Sequence, residues 1–323
     1  MDLIYTDANR EDVGVLLDYQ FDLAFGTDEN NFVLSVSLDD HVCSESYWIY
    51  IDGTEYGGII DDIEVNTETQ RVTYKGRTFH GIIESKIVCP DAGQNYYVIT
   101  NMDANTALAT LITRLGLGDL FTASSESSGI TITRYQFWRY ITGYAGIRKM
   151  LDKNGAKLHM EIDWDNDQVI LSAIPYVSYD DDELDSDHVN FTIDQVFNPI
   201  NHMVCLGSGE LKDRMVVHLY CDASGNISQT QTFTGLDERA EVLDYPNVES
   251  EEQLIEEGES RLRAAWNASS VDIRLDDEYE FDIGDVITVS EIHTGVTLTR
   301  SVTKKIVTIK GDIFKCQYQV GEQ

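Results

Sequence analysis

Two β-rich runs separated by a short polar turn give the first indication of the fold. The sequence reads Tyr56-Gly57-Gly58-Ile59-Ile60-Asp61-Asp62-Ile63-Glu64-Val65, then the turn Thr67-Glu68-Thr69-Gln70, then Arg71-Val72-Thr73-Tyr74-Lys75-Gly76. β-branched and aromatic residues recur in both runs, which is typical of strands. The two runs are therefore predicted to form an antiparallel hairpin.

Further strands are predicted on the N-terminal side of this hairpin. Phe32–Leu38 is apolar with partial alternation, and Tyr47–Ile51 leads into Asp52-Gly53, which is typical of a tight hairpin turn. Residues 1–90 are accordingly predicted to be a meander of short antiparallel strands, as in a small barrel or sandwich. We expect this segment to be a first β domain.

Residues 91–187 are predicted to form a mixed α+β domain. Leu108, Leu111, Ile112 and Leu115 fall at helical spacing, with Asn101 or Asp103 as the N-cap and Gly116 as the end. A second helix is predicted over Gly143–Lys153 and ends at Asn154-Gly155. Leu158–Ile162 and Val169–Ile174 are predicted to form a hairpin, and the acidic run Tyr179–Asp187 is predicted to be a solvated loop at the domain boundary.

Residues 188–323 are predicted to be a second β domain with one helix near 250–266. Ser250 and Gln253 give that helix a capping-box pattern. Met215–Cys221 and Ile227–Phe233 are predicted to pair as a hairpin. Strands are also predicted at 270–275, 285–290, 296–309 and 313–320. The fold class is thus mainly β with an α+β insert, formed by two small β-barrel-like domains and a mixed domain.

The chain is strongly acidic. It has 323 residues with 57 Asp+Glu against 23 Lys+Arg, a formal net charge of −34. Such a chain is not expected to wrap nucleic acid, which needs cations against the phosphates, or to bind an anionic membrane. The charge serves either general solubility or a specific electrostatic role, and composition alone leaves both open.

The five cysteines and the N-terminus point to a reducing compartment. The cysteines stand at 43, 89, 205, 221 and 316 without any CxxC pair, so they are predicted to be mainly buried apolar residues rather than zinc ligands. The first residues, Met1–Asp12, show neither the basic nor the apolar region of a signal peptide. We expect synthesis in a bacterial cytoplasm and no membrane anchor.

No catalytic, cofactor or metal motif is found, and none of these sites is predicted. Asp163-Trp164-Asp165-Asn166-Asp167 resembles the start of a calcium loop, but Gln168 and Ile174 replace the required Gly and Glu, which favours a plain turn. The histidines are interpreted as ordinary strand or loop residues without near partners: His41, His80, His159, His188, His202, His218 and His293. The chain is therefore not expected to be an enzyme.

One turn is predicted to be structurally important. Asp282-Ile283-Gly284-Asp285 interrupts the alternation just before the strand Val286-Ile287-Thr288-Val289. Gly284 is expected to adopt a backbone angle that side chains resist, and Asp285 is expected to stabilise the turn.

Three segments resemble the tail-hub proteins of long-tailed phages and prophages, the Tal-type proteins related in fold to baseplate hubs. The first is Gly14–Tyr19 leading to Phe32–Val36. The second is Tyr56–Val65 followed by Val72–Ile83, similar to the family's "G-I-I-x-x-I … G-R-x-x-x-x-[IL]-[IL]" hairpin. The third is Phe281–Val289, similar to its "D-[LI]-G-D-x-V" strand.

The resemblance implies a structural protein of the virion tail. A homotrimer, with two similar β domains per subunit, would form a pseudo-sixfold ring that closes the tail tube, joins it to the tip and lets DNA pass without specific binding. The implied partners are the distal tail protein ring, the tape measure protein and tip or fibre proteins. We expect the lumen of the ring to be acidic, unless the charge is spread evenly for solubility.

Two other functions stay open at this point. One is a carbohydrate-binding or carbohydrate-cleaving tail protein, whose Tyr and Trp side chains would stack on sugar rings while two carboxylates did the chemistry. The other is a hub or spike part of a phage-derived injection machine.

Overall fold

A computed structural model describes residues 2–179, 190–194, 196–246, 248, 250–268, 270–275, 281–311 and 313–321. The acidic run from Asp180 to Asp187 and the predicted boundary near residue 187 lie outside these residues. By strand content the protein is mainly β, with 45% strand and 19% helix. This confirms the predicted class, and within the described residues none of the sheets closes on itself.

The strands follow one another along the whole chain. They are β1 (Leu3–Thr6), β2 (Asp12–Leu16), β3 (Tyr19–Gly26), β4 (Asn31–Ser37), β5 (Trp48–Tyr50), β6 (Gly57–Asn66), β7 (Arg71–Thr78), β8 (Val98–Asp103), β9 (Phe121–Ala123), β10 (Thr131–Gln136), β11 (Ala156–Asp163), β12 (Gln168–Pro175), β13 (Ser178–Tyr179), β14 (Asn190–Asp194), β15 (His202–Leu206), β16 (Val216–Cys221), β17 (Ile227–Ser228), β18 (Ala240–Asp244), β19 (Ser270–Leu275), β20 (Val286–Ser290), β21 (Thr297–Lys310) and β22 (Ile313–Gly321). The α-helices are α1 (Phe79–Glu84), α2 (Ala104–Leu115), α3 (Gly143–Asp152) and α4 (Glu251–Trp266).

The chain divides into two compact units, and the sequence of the second unit is inserted within that of the first. The first comprises Met1–Phe191 and Asp272–Gly321, and the second comprises Thr192–Val271. The predicted division at residues 90 and 187 stays a prediction. In the structure, β21 from the C-terminal segment lies next to β3 from the N-terminal segment, so the main sheet draws on both ends of the chain.

The main sheet of the first unit has the strand order β22-β21-β3-β4-β7-β6-β5-β1-β2, and neighbouring strands in this order are antiparallel. β20 pairs with β21, and β13 pairs with β20. The predicted hairpin is formed by β6 and β7, although a bulge between Ile60 and Asp62 shifts its register. Bulges of this kind bend a strand and re-aim its side chains.

The mixed region of the first unit packs around an apolar core that it shares with Tyr50 of β5 and Phe79 of α1. α2 begins at the N-cap Asp103, whose side chain accepts a hydrogen bond from the Asn105 N–H, and ends at Gly116 in the left-handed conformation. α2 and α3 pack with the small sheet β11-β12-β9, in which β9 runs parallel to β12. Both predicted helices are confirmed within one or two residues.

The second unit is a four-stranded sheet with one helix. The strand order is β17-β16-β15-β18, and β18 runs parallel to β15. α4 covers one face with its buried residues Leu254, Gly258 and Leu262. Its N-cap is Ser250, whose side chain accepts from the Gln253 N–H as the sequence predicts.

Two local predictions are wrong. Residues 79–84 form the helix α1 rather than strand, because the Thr78 side chain accepts from the Gly81 N–H and caps a helical turn. The second is wrong only in the length of one strand: the predicted hairpin forms, since β16 pairs antiparallel with β17, but β17 covers only Ile227–Ser228 and does not reach Phe233.

Gly258 is expected to be essential for the packing of α4. A Cβ atom built there would lie 2.4 Å from the Cys205 Sγ and 2.7 Å from a Leu219 methyl group. Gly258→Val should lower the free energy of unfolding by about 1–3 kcal/mol because both neighbours are buried in the sheet core. Chemical denaturation measures this loss. Glu256→Val, on the exposed side of the same helix, is the matched control and should leave stability nearly unchanged.

Candidate functional site

The clearest candidate for an interaction site is the outer part of β6. β5 pairs with β6 only at Gly57–Ile59, whereas β7 follows β6 as far as Asn66. Within the described part of the chain, no strand pairs with Asp61–Asn66 on the side away from β7. A free row of backbone N–H and C=O groups can accept another strand.

Apolar side chains at this edge belong to the buried face of the sheet. Ile63 lies opposite Tyr74 and Val65 lies opposite Val72, and directly opposed residues share a face. Tyr74 and Val72 are 0% and 1% exposed, whereas Ile63 and Val65 are 38% and 55% exposed. The apolar row of the core therefore continues to the edge and ends there without cover.

Charged pairs flank the same edge. The Arg77 guanidinium donates from Nε and Nη2 to the two carboxylate oxygens of Asp61, each at 2.8 Å, and Lys75 Nζ lies 2.6 Å from Glu64 Oε2. The hydrogen bonds from Arg77 lower the pKa of Asp61. These pairs hold β6 against β7 beyond the bulge, and charges on an edge limit indiscriminate pairing.

The end of the main sheet at β2 is also an edge. β2 is the last strand of the order and pairs with β1. Val13 and Val15 are exposed on β2, and Leu17 beyond it is almost fully exposed. The first unit therefore carries two separate edges with exposed apolar side chains.

The predicted turn at Gly284 and Asp285 forms a buried ionic cluster. Gly284 has φ 103°, a left-handed angle that favours glycine. The Asp285 carboxylate accepts from the Asp282 N–H at 2.9 Å and from the Val177 N–H at 2.8 Å. It also lies 2.8 Å from Lys157 Nζ, which contacts Asp282 at the same distance.

This cluster ties three segments of the first unit together. Lys157 belongs to β11, Val177 precedes β13, and Asp285 precedes β20. Burial disfavours the charged form of Lys157, but hydrogen bonds to Asp282 and Asp285 outweigh burial and raise its pKa. Lys157 and Asp285 are both almost completely buried, so removal of either partner would leave the other charge buried with less compensation.

A second buried cluster joins β21 to the loop before β6. Lys305 Nζ lies 2.8 Å from Glu55 Oε1, and His80 Nε2 lies 3.5 Å from Glu55 Oε2. Burial acts to raise the pKa of Glu55, but Lys305 and His80 outweigh it and lower that pKa to about 2. The His80 ring also stacks on Phe25 at 4.5 Å.

A histidine pair in the second unit overturns the interpretation of each histidine as isolated. His202 Nδ1 lies 2.6 Å from Glu238 Oε1, and His202 Nε2 lies 2.9 Å from His218 Nδ1. A neutral His202 that donates to Glu238 then accepts from His218. The sequence alone could not predict this pair, because the two histidines meet only through the pairing of β15 with β16. In that pairing His202 lies opposite Tyr220 and diagonal to His218.

The remaining polar candidates are accounted for locally. The Asp163 carboxylate accepts from Asn166 Nδ2 at 2.8 Å, as part of the turn between β11 and β12. Among the described residues no group of three or more His, Cys, Asp or Glu side chains could hold a metal ion. All five cysteines are free, and all but Cys89 are buried. No described helix has the length and apolar character needed to cross a membrane.

Comparison with known proteins identifies the fold. No family model and no curated protein sequence matches the chain. Among solved structures, a tail protein from Neisseria meningitidis has a TM-score of 0.55 at 12% identity, over 100% of this chain and 96% of its own. A prophage MuSo2 tail protein from Shewanella oneidensis has a TM-score of 0.57 at 10% identity, over 99% and 98%.

A third tail protein, from a Listeria monocytogenes prophage, has a TM-score of 0.52 at 12% identity, over 99% of this chain and 94% of its own. The expected likeness in fold to phage and prophage tail proteins is thereby confirmed. Because the likeness covers nearly the whole of each chain, it extends over both units and is not confined to one shared sheet.

The ionic turn yields a prediction about stability. Asp285→Asn should lower the free energy of unfolding by about 1.5–3 kcal/mol because it leaves the buried Lys157 charge with Asp282 as its remaining carboxylate partner. Gly284→Val should lower it by about 1 kcal/mol or more because of the left-handed φ. Thermal and urea unfolding measure both. The double variant Lys157→Met with Asp285→Asn removes both charges, keeps a side-chain oxygen as acceptor for the backbone donors, and should recover most of the loss; if it does not, charge burial is the wrong explanation.

The Glu55 cluster yields a prediction about acid. A carboxylate whose pKa is about 2 in the folded state and 4.5 when unperturbed stabilises the fold fully above 4.5. That contribution is lost as the pH falls from 4.5 toward 2. Urea unfolding at a series of pH values should show this loss. Glu55→Gln should weaken the pH dependence in the same window, whereas an unchanged dependence would assign the acid sensitivity to other carboxylates.

Proposed function

We propose that the chain is a structural, non-enzymatic subunit of a phage or prophage tail, acting at the tip or baseplate hub. The observation that carries the proposal is the shared fold with three tail proteins over at least 99% of the chain. The subunit forms a homotrimeric ring that closes the tail tube and joins it to the tip. Its localisation is the virion tail.

The open edges of the first unit support assembly into a ring. A subunit with two different interaction surfaces associates head to tail. Such contacts form a closed ring when the rotation from one subunit to the next is a whole fraction of a full turn. The outer part of β6 and the strand β2 are two such surfaces, with β5 and β1 between them in the strand order. Burial of Ile63 and Val65 by a neighbour would complete the apolar row that is cut off at β6.

The acidic charge supports passage of DNA without binding. A net charge of −34 repels phosphate, and an acidic lumen would offer few contacts that must be broken during passage. Screening by salt limits this repulsion to roughly 8 Å at physiological ionic strength. The repulsion would therefore keep DNA from binding the lumen without preventing its passage. The distal tail protein ring, the tape measure protein and tip or fibre proteins are the partners of the proposed hub.

Oligomer mass tests the proposal. The purified protein should form a trimer by light scattering and a ring with a central opening by electron microscopy. Ile63→Lys with Val65→Lys should shift the protein toward monomer because the lysines oppose burial at the β6 edge. Leu211→Lys with Leu236→Lys is the matched control, since both leucines are exposed in turns and lie on neither edge.

A strictly monomeric protein at high concentration, both alone and with its tail partners, would contradict the proposed hub. A ring with a neutral or basic lumen would contradict only the acidic lining and would leave the hub standing.

A further inference from the structure

A stretch of the first unit departs from the acidic character of the chain. Residues 127–151 contain no Asp or Glu but include Arg134, Arg139, Arg148 and Lys149, in a protein with 57 acidic residues. The stretch covers β10, the following loop and α3. Its basic residues are accompanied by Tyr135, Trp138 and Tyr140, so charge and aromatic surface coincide.

The basic side chains at the surface lie over these aromatic rings. Lys149 Nζ is 4.3 Å from the centre of the Trp138 ring, and Lys153 Nζ is 5.8 Å from that of Tyr135. The Arg139 guanidinium lies 5.1 Å from the Tyr140 ring. Among the described residues, no carboxylate lies within ion-pair distance of Arg134, Arg139 or Lys153.

The loop that carries Arg139 and Tyr140 is held in place at both ends. The Phe137 N–H donates to the Tyr97 carbonyl, and the Val88 N–H donates to the Ile141 carbonyl at 2.8 Å. Tyr140 is 56% exposed and has φ 61°, an unfavourable backbone angle for an aromatic residue. A strained and exposed aromatic side chain on an anchored loop is typical of a functional contact.

An exposed apolar residue lies beside the loop. Ile87 is 45% exposed and forms a β-bridge with Thr142 at the end of the loop. Together, Ile87, Trp138, Arg139, Tyr140, Lys149 and Lys153 make up what we term the basic aromatic patch. Trp, Tyr and Arg are the residue types that contribute most to binding at protein interfaces.

We propose that the basic aromatic patch binds the acidic surface of a second copy of this chain. Charge complementarity selects this partner, because the basic residues of the patch lie within a subunit whose net charge is −34. Two such subunits repel each other unless a basic surface on one meets carboxylates on the other. This inference rests on the proposed ring of subunits. Within that ring, the patch of each subunit would contact the acidic surface of the next, so each contact would be head to tail.

Nucleic acid is the less favoured partner for the patch. Single-stranded nucleic acid also binds basic surfaces with aromatic rings. The rest of the chain, however, opposes phosphate with a large excess of carboxylates. The exposed Ile87 suits an apolar protein contact, and it offers no ring on which a base could stack.

Charge reversal in the patch tests the inference. Arg139→Glu with Lys153→Glu should raise the apparent Kd of oligomer assembly by about tenfold or more, measured by analytical ultracentrifugation. Raising the salt from about 50 mM to about 500 mM should weaken wild-type assembly in the same direction. The control Lys212→Glu with Lys310→Glu changes net charge equally at two exposed sites outside the patch and should assemble like wild type.

The other outcomes are equally decisive. A trimer whose mass is unchanged by the patch variant would overturn the inference while leaving the proposed hub intact, whereas a wild type that is monomeric both alone and with its tail partners would overturn both. Equal losses in the patch and control variants would assign the effect to net charge alone and would also overturn it. If the wild type binds a single-stranded DNA oligonucleotide and the patch variant does not, while the trimer mass is unchanged, the patch binds nucleic acid and not a second subunit. Circular dichroism verifies that each variant folds. If the charge-reversal variant does not fold, Arg139→Gln with Lys153→Gln takes its place and should weaken assembly less than charge reversal would.

Discussion

The pairing of β21 with β3 is the interaction on which the rest of the first unit depends. Residues 304–309 lie antiparallel to residues 21–26, and the Thr27 N–H donates to the Thr303 carbonyl. Gly26 is required at this junction because a Cβ atom there would lie 2.3 Å from the Thr303 oxygen. Lys305 of the same strand forms an ion pair with Glu55. Backbone and side-chain contacts together therefore fix the C-terminal strands in the N-terminal sheet.

Local features of the sequence were sufficient for most elements but not for their assembly. Asp103 and Gly116 mark the ends of α2 because capping is a property of nearby residues. Phe79–Ile83 was mistaken for strand because a short apolar run has no clear period, and only the Thr78 cap distinguishes the helix. The histidine pair and the free edge of β6 depend on which strands pair, and that information lies in tertiary contacts.

Low identity with a shared fold follows from the nature of the core. At 10–12% identity the three tail proteins retain few of the same residues, yet they share the fold over nearly the whole chain. Core positions require apolar side chains of suitable size in the right alternation, and many sequences satisfy this. The acidic charge and the basic aromatic patch lie outside that requirement, so the shared fold does not account for them.

The main sheet has a consequence for synthesis on the ribosome. β3 and β4 emerge early, but the strand that covers the other side of β3 emerges only after residue 304 has been added. Throughout translation of the intervening residues, β3 presents an open apolar edge, the kind of surface on which nascent chains aggregate. Pairing over such a separation in sequence is also slow. Completion of this sheet is therefore a late event in synthesis, and until then the nascent chain exposes an unpaired strand edge with which other chains can pair.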